Sequence, residues 1–248
     1  MIAGGVSWPE VVFMVVAVCF SAAMQVTAGF GFALLAVPLM ALAIDTHDAV
    51  VVSTFLGLAT SSAQAIQGRH VAAFDLVKRL TLSAVCGIPV GLIVFRQVDE
   101  HVLKAILGIG VLLATVLLAR RIDLGSRGPM LDWTAGALSG ALSASLSTNG
   151  PPLVFALQGR KLPIDVFRAT INWVFCFSGV ATLVAFAVSG EITRTGVRDA
   201  AISTPAMVIG AWIGFRLRDR INEDGARRMV LALLALAGVS ALTSAFVG

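Results

Sequence analysis

The chain has 248 residues, of which 58% are hydrophobic and only 13% charged, and its formal net charge is +4 at pH 7. Soluble globular domains carry about 25% charged residues, so this composition excludes an ordinary soluble domain and indicates a protein embedded in a lipid bilayer. We expect no nucleic-acid partner, because the cytoplasmic loops of membrane proteins are themselves rich in Lys and Arg.

Long uncharged runs predict an all-α polytopic membrane protein. No charged residue lies between Val11 and Ile44, a stretch longer than the roughly 20 residues that one spanning helix needs. The runs are continuous rather than alternating, which favours helices over a β-barrel. No Lys or Arg precedes the first run, so we expect that run to be retained as a helix and not removed as a signal peptide. The predicted helices are 9–28, 31–44, 48–67, 75–95, 102–120, 131–147, 151–159, 164–189, 197–216 and 225–247.

Two of the predicted helices are short, and each follows a polar interruption of an apolar run. The first interruption is Thr27-Ala-Gly-Phe-Gly-Phe32, and the second is Leu146-Ser-Thr-Asn-Gly-Pro-Pro-Leu153. Interruptions at corresponding places in two apolar segments point to the binding site of a secondary transporter. The alternative is that both are packing devices, because Gly and Pro are common in transmembrane helices.

The two halves of the chain look related. A polar Gly/Pro stretch divides the sequence into an N-terminal membrane repeat at 1–120, a cytoplasmic linker at 121–130 and a C-terminal membrane repeat at 131–248. The Gly87/Gly91 pair aligns with the Gly210/Gly214 pair at an offset of 123 residues. Glycines spaced by four, including Gly136/Gly140, predict close helix packing within the chain, and they point more weakly to a homodimer.

The distribution of positive charge predicts how the halves sit in the membrane. If each short helix folds back as a hairpin, the cytoplasmic connections hold 14 of the 18 Lys and Arg residues. If each interrupted pair crosses the membrane once, the split is 8 to 10 and carries no signal. The positive-inside rule therefore favours hairpins. Each half then has one hairpin and three spanning helices, the repeats are inverted, and both termini are non-cytoplasmic.

The second interruption has the residues needed to begin a helix inside the membrane. Ser147, Thr148 and Asn149 are residue types that cap helix N-termini, and the prolines that follow suit the first turn. A helix N-terminus attracts anions through its free N–H groups and its dipole, with no need for a buried Lys or Arg. The predicted substrate-binding residues are Gln25, Thr27, Gly29, Gly31, Ser147, Thr148, Asn149, Gly150, Arg168 and Asn172.

Other polar residues in the apolar segments admit a plainer interpretation. Arg168 either extends to the cytoplasmic surface or attracts an anion at the cytoplasmic mouth. Asn172 is costly to bury, so it should face the bundle or a cavity. For most residues of a polar group on the third helix we expect helix-to-helix hydrogen bonds instead: Ser53, Thr54, Ser61, Ser62 and Gln64.

Nothing in the sequence indicates catalysis. No HExxH pattern and no Gly-Lys-Ser/Thr loop occurs, and the three cysteines have no metal-ligand spacing, so we expect no cofactor and no metal. An intramembrane enzyme would need an ionisable pair at membrane depth, and a scaffold would need a large loop or a soluble domain. The apolar segments show neither feature.

The two interruptions resemble the motifs of the TauE/SafE family of membrane anion transporters, often called sulfite exporters. The motifs read Gly29-Phe-Gly-Phe-Ala-Leu-Leu-Ala-Val-Pro38 and Asn149-Gly-Pro-Pro-Leu153. Phe32 and Ala33 stand where the family often has further glycines. The resemblance implies a multi-pass protein of the bacterial inner membrane that moves sulfite, sulfoacetate or another small sulfur-containing anion outward. Import of a different small anion is the alternative.

Overall fold

The computed structural model describes residues 8–119, 128–158, 160 and 162–217, together with isolated residues between 231 and 243. Across those residues the chain is all-helical, as the sequence predicts. The helices are α1 (Trp8–Ala28), α2 (Phe32–Met40), α3 (Thr46–Gln67), α4 (Phe74–Gln97), α5 (Glu100–Ala119), α6 (Pro129–Leu146), α7 (Gly150–Gln158), α8 (Ile164–Ser189) and α9 (Arg194–Leu217). Most of the predicted linker and most of the predicted helix 225–247 lie outside the described residues.

Two of the helices, α2 and α7, are much shorter than the rest. Among the described residues, five helices qualify as spans by length and composition, namely α1, α3, α4, α8 and α9. The helices α2 and α7 have nine residues each, so at 1.5 Å per residue they are far too short for a core of about 30 Å. Each contacts the long helix that precedes it in the chain.

The predicted helix 31–44 is too long. In the structure α2 ends at Met40, and residues 41–44 form a turn in which Ala43 and Ile44 both donate to the Met40 carbonyl. Asp45 then begins α3 as its N-cap, with its side chain accepting hydrogen bonds from the backbone N–H groups of His47 and Asp48. The turn is apolar, so hydropathy alone does not mark it.

Polar contacts gather the helix ends into two groups at opposite ends of the molecule. At one end, which we call the Asp132 end, the fully buried Asp132 carboxylate lies 2.7 Å from Arg160 Nη2 and 3.6 Å from Arg79 Nε. At the other end, the Glu191 end, Arg96 Nε lies 3.0 Å from Glu191 Oε1. The helices α3 and α9 start at the Glu191 end, and α4, α6 and α8 start at the Asp132 end.

Glycines set the closest helix contacts, as the sequence predicts. A Cβ atom on Gly87 would lie 1.9 Å from the Ala137 carbonyl oxygen, so α4 and α6 pack backbone to backbone. A Cβ atom on Gly210 would lie 2.0 Å from the Cys19 carbonyl oxygen in the matching contact of α9 with α1. The aligned glycines Gly87 and Gly210 therefore pack helices of the same chain against each other.

The helix bounds repeat along the chain with one offset. The helix α1 ends at residue 28 and α6 at 146, α2 begins at 32 and α7 at 150, and α3 begins at 46 and α8 at 164. Each pair is separated by 118 residues. The helix α8 has 26 residues and α3 has 22, and this extra turn accounts for most of the larger offset of 123 between the glycines of α4 and α9.

The central helices α3 and α8 are antiparallel. Gly68 at the end of α3 faces Ala169 near the start of α8, and Ser62 Oγ lies 3.3 Å from Cys176 Sγ further along the pair. These two helices occupy equivalent places in the 118-residue register. They also form the walls between which the two interruptions lie.

Candidate functional site

Each interruption is three residues long and contains at least one residue in the left-handed backbone conformation, which ends the preceding helix. In the first, Gly29 has φ 91° and Gly31 has φ 101°, a conformation that glycine adopts without steric cost. In the second, Ser147 has φ 56° and ends α6, with the Thr148 N–H donating to the Leu142 carbonyl at 3.2 Å. Ser147 therefore terminates one helix and does not cap the next, which begins at Gly150.

The two interruptions meet in the middle of the bundle. A Cβ atom on Gly150, at the start of α7, would lie 3.5 Å from Phe30 Cδ2 and 3.8 Å from Leu34 Cδ1. A cavity of about 40 Å³ lies between the starts of α2 and α7. Since about 10–15 Å³ of such volume holds one water molecule, this cavity admits a solute of only a few heavy atoms.

The cavity brings together six of the ten residues predicted to bind substrate. It is lined by Gly31, by residues 32–34 of α2, by residues 147–150, and by residues of α1, α3, α6 and α8. The predicted residues that line it are Gln25, Gly31, Ser147, Thr148, Asn149 and Gly150.

The lining is polar but uncharged. Among the described residues no Asp, Glu, Lys or Arg lines the cavity, so the groups there that can attract an anion are the N-terminal ends of α2 and α7. Pro151 and Pro152 have no N–H, so the free donors at the start of α7 are limited to the residues before them. The first turn of α2 has no proline and contributes the N–H groups of Phe32, Ala33 and Leu34.

Gln25 joins α1 to α3 at the edge of this cavity. Its Nε2 donates to Ser61 Oγ at 2.9 Å, and its Oε1 accepts from Thr60 at 2.8 Å. Gln25 is 1% exposed, so both ends of the amide are satisfied inside the protein. The side chain fixes the position of the lining hydroxyl of Ser61.

The second interruption is fixed to the walls by further hydrogen bonds. Thr54 Oγ1 lies 3.1 Å from Ser147 Oγ, and the Asn149 carbonyl accepts from Ser139 Oγ at 2.8 Å. Asn149 Nδ2 lies 3.5 Å from Ser178 Oγ, which is a long contact. The Asn149 amide is therefore less firmly held than the backbone beside it.

Ser53 lines the cavity and was not among the predicted site residues. Its hydroxyl is fully buried and has no hydrogen-bond partner among the described residues. A buried polar group without a partner costs about 1–3 kcal/mol. Because the Ser53 hydroxyl lies beside the cavity, a ligand bound there could supply the missing hydrogen bond. The sequence signal is the spacing of Ser53, Gly57 and Ser61, which puts small or polar residues on one face of α3.

The remaining four predicted residues lie at or beside the first interruption and do not line the cavity. Arg168 Nη2 donates to the Thr27 carbonyl at 2.9 Å, and Asn172 Nδ2 donates to the Gly29 carbonyl at 3.0 Å. A Cβ atom on Gly29 would lie 2.6 Å from Arg168 Cγ, so the arginine stem covers this glycine. The Thr27 hydroxyl donates back into α1, to the Ala23 carbonyl.

A second, larger cavity lies between the end of α3 and the start of α8. Its volume is about 320 Å³, and Gln64, Gln67, Gly68, Arg168 and Asn172 are among its lining residues. It opens toward the Asp132 end. Along α3 it is separated from the first cavity by one helical turn, because Ser61 lines the first cavity and Gln64 the second.

Comparison with known proteins identifies the family. The profile described as "Sulfite exporter TauE/SafE" matches residues 12–241. A protein of Cupriavidus necator described as "Probable sulfite/organosulfonate exporter TauE" is 25% identical over 114 residues, which are 46% of this chain and 44% of that protein. The matched part is thus less than half of that relative's length. No solved structure gives a significant match. Because the family profile covers most of the chain, this protein belongs to the TauE/SafE family of membrane transporters.

Proposed function

We propose that this chain is a secondary transporter that exports a small sulfur-containing anion, such as sulfite, sulfoacetate or a related organosulfonate. The observation that carries the proposal is the cavity lined by the first residues of both α2 and α7, with no charged side chain among its described lining residues. Two helix N-termini attract one negative solute without binding it so firmly that it cannot leave. The name of the Cupriavidus necator relative supports the substrate class.

The substrate would lie between the two interruptions. Its oxygen atoms would accept hydrogen bonds from Ser53, from Ser147 and Thr148, and from the N–H groups at the start of α2. The two aromatic side chains that line the cavity, Phe32 and Phe175, limit its size. This arrangement fits a compact oxyanion such as sulfite, and a larger organosulfonate such as sulfoacetate would need the cavity to widen as the two repeats move.

We also infer that the two halves are inverted repeats about an axis in the membrane plane. The support is that α3 and α8, which are equivalent in the 118-residue register, are antiparallel. The α1–α2 hairpin enters from the Glu191 end, and the α6–α7 hairpin enters from the Asp132 end. Alternating access by rocking of one repeat against the other follows from such an architecture.

The proposed orientation places the Asp132 end in the cytoplasm. Described helix ends that flank connections rich in Lys and Arg, namely the end of α3 and the starts of α4, α6 and α8, lie at that end, which agrees with the positive-inside rule. The N-terminus then lies outside the cytoplasm, and so does the C-terminus. The larger cavity with Arg168 becomes the cytoplasmic entrance, where a positive charge attracts anions to the path.

The membrane potential supplies the driving force in this scheme. An inside-negative potential favours anion exit by about 2.3 kcal/mol per charge per 100 mV. None of the described residues that line the first cavity carries a carboxylate. Export by this route therefore needs no carboxylate proton relay at the substrate site.

The test is anion flux through purified protein in proteoliposomes. We expect sulfite or sulfoacetate to move faster than in protein-free vesicles, and Ser53→Ala to lower the flux about tenfold, equivalent to one lost hydrogen bond to a charged ligand. Ser21→Ala is the matched control, because Ser21 is also a fully buried hydroxyl without a partner among the described residues but does not line the cavity. Absence of flux with every sulfur oxyanion would refute the proposal.

A further inference from the structure

We propose that Phe95 and Phe186 form the gate that closes the substrate path at the Glu191 end. The inference rests on the proposed function, because a gate has a role only if a solute passes. It comes from comparing the two ends of the path through the 118-residue register. The Asp132 end holds the second cavity, and the equivalent place at the Glu191 end is occupied by buried side chains.

The register pairs the lining of the second cavity with residues near the Glu191 end. Gly68, which lines that cavity, corresponds to Phe186, and Arg168 corresponds to Val50. A glycine and a charged side chain at the open end are thus replaced by a phenyl ring and an aliphatic side chain. The sequence therefore makes the Asp132 end of the path polar and the Glu191 end apolar.

The Glu191 end is closely packed where the Asp132 end is open. Phe186 and Phe95 are both 0% exposed, and their rings stack with centroids 4.8 Å apart and planes 29° from parallel. Val50 beside them is also 0% exposed. Two stacked phenyl rings in a narrow path exclude water as well as ions, which is how hydrophobic constrictions close a channel.

His47 joins the stack to the start of α3. Its ring meets the edge of Phe95 at 4.8 Å between centroids, and His47 Nε2 lies 3.1 Å from the Phe95 carbonyl oxygen. The three residues come from α3, α4 and α8. Movement of one repeat against the other would therefore shift these rings relative to each other.

The stack lies about two helical turns beyond the substrate cavity along α8, because Gly179 lines that cavity and Phe186 follows it by seven residues. Ser143 lines that cavity, and its hydroxyl is 3.0 Å from Thr182 Oγ1. Thr182 precedes Phe186 by one turn of α8. On the other side, Gln64 of the second cavity follows Ser61 of the first by one turn of α3. The substrate cavity is thus placed between an open end and a closed end.

Thiol labelling from the Glu191 side tests the gate without measuring transport. The reporter is Thr182→Cys, which is fully buried when the stack is closed, in a chain with Cys19, Cys86 and Cys176 replaced by Ala. A membrane-impermeant maleimide is added to sealed right-side-out vesicles. We expect slow labelling with both rings present and about tenfold faster labelling after Phe186→Ala or Phe95→Ala, as expected for a shift in the population of open gates.

The control is Leu107→Ala, which truncates another fully buried side chain, on α5 and outside both cavities. Labelling that stays slow in both phenylalanine variants, or that rises equally in the Leu107 variant, would overturn the gate. If labelling behaves as expected and no sulfur oxyanion is transported, the gate stands and the substrate proposal fails. If transport occurs and labelling does not respond, the gate fails and the transporter proposal stands.

Discussion

The side-chain amide of Asn172 lies 3.0 Å from the carbonyl oxygen of Gly29, although 143 residues separate them. In the 118-residue register the matching contact is Thr54 with Ser147, at 3.1 Å. Each central helix therefore holds the interruption that belongs to the other half of the chain. This cross-bracing allows two broken helices to persist inside an apolar bundle.

Asn172→Ala should loosen the first interruption. The Gly29 carbonyl would lose its donor, and an unsatisfied buried acceptor costs about 1–3 kcal/mol. We expect a lower thermal unfolding temperature in detergent and reduced anion flux. Gln97→Ala is the control, because Gln97 lies at the surface at the end of α4 and lines neither cavity. An unfolding temperature equal to that of the native chain would show that the Asn172 contact is not structural.

Substitutions of glycine by alanine should separate backbone strain from steric overlap. Gly31 has φ 101° and nothing near its Cβ position, so Gly31→Ala should cost about 1–2 kcal/mol of backbone strain. Gly87→Ala should be more damaging, because its Cβ would lie 1.9 Å from a backbone oxygen of α6. Gly110→Ala, on α5 with open space around it, should be neutral or stabilising. Thermal unfolding ranks the three variants, and the reverse order would contradict the packing described.

Asp132→Asn should destabilise the Asp132 end strongly. Asp132 is fully buried and lies 2.7 Å from Arg160 Nη2. The arginine left behind is 25% exposed, so water solvates part of its charge and we expect a loss of about 1.5–3 kcal/mol, the range for hydrogen bonds to charged groups. Glu191→Gln breaks the exposed pair with Arg96 and should cost no more than about 1 kcal/mol. Equal unfolding temperatures for the two variants would argue against a buried pair.

The stability that Asp45 gives to the start of α3 should decrease at low pH. The His47 side chain, followed by the backbone N–H groups that Asp45 accepts at the helix start, lowers the pKa of Asp45 from 3.8 to about 2. A lowered carboxyl pKa in the folded state gives stabilisation that is complete above about pH 4 and is lost as pH falls toward 2. Asp45→Asn keeps a capping side chain but cannot titrate.

The measurement for Asp45 is the unfolding temperature of the native and Asp45→Asn proteins between pH 7 and pH 2.5. We expect the difference between them to shrink as the pH falls below 4. A difference that stays constant over this range would contradict the assigned pKa. The change should be small, because the Asp45 side chain is 47% exposed and water screens it.

Much of this fold follows directly from the sequence. The glycines at 29 and 31 and the prolines at 151 and 152 predict where the helices break, because these residues change backbone conformation or remove a donor. The end of α2 does not follow, since residues 41–44 are as apolar as the helix before them.

The site was only partly predictable, since partner contacts decide which polar residues reach a cavity. Thr27 and Asn149 look equally suited in the sequence, yet the hydroxyl of one turns back into its own helix and the other lines the cavity. Ser53 shows the opposite case. The sequence does not show that Ser53 lacks a hydrogen-bond partner. This becomes visible only in the described part of the structure, where the second interruption lies beside it.

The most direct test of the central claim is to locate a bound anion. Selenite is a heavier analogue of sulfite whose selenium can be found by anomalous scattering from crystals of the protein. We predict a peak between the starts of α2 and α7, beside the hydroxyl groups of Ser53 and Ser147. A peak at Arg168 in the larger cavity, with none between the two interruptions, would contradict the account in which helix ends hold the substrate.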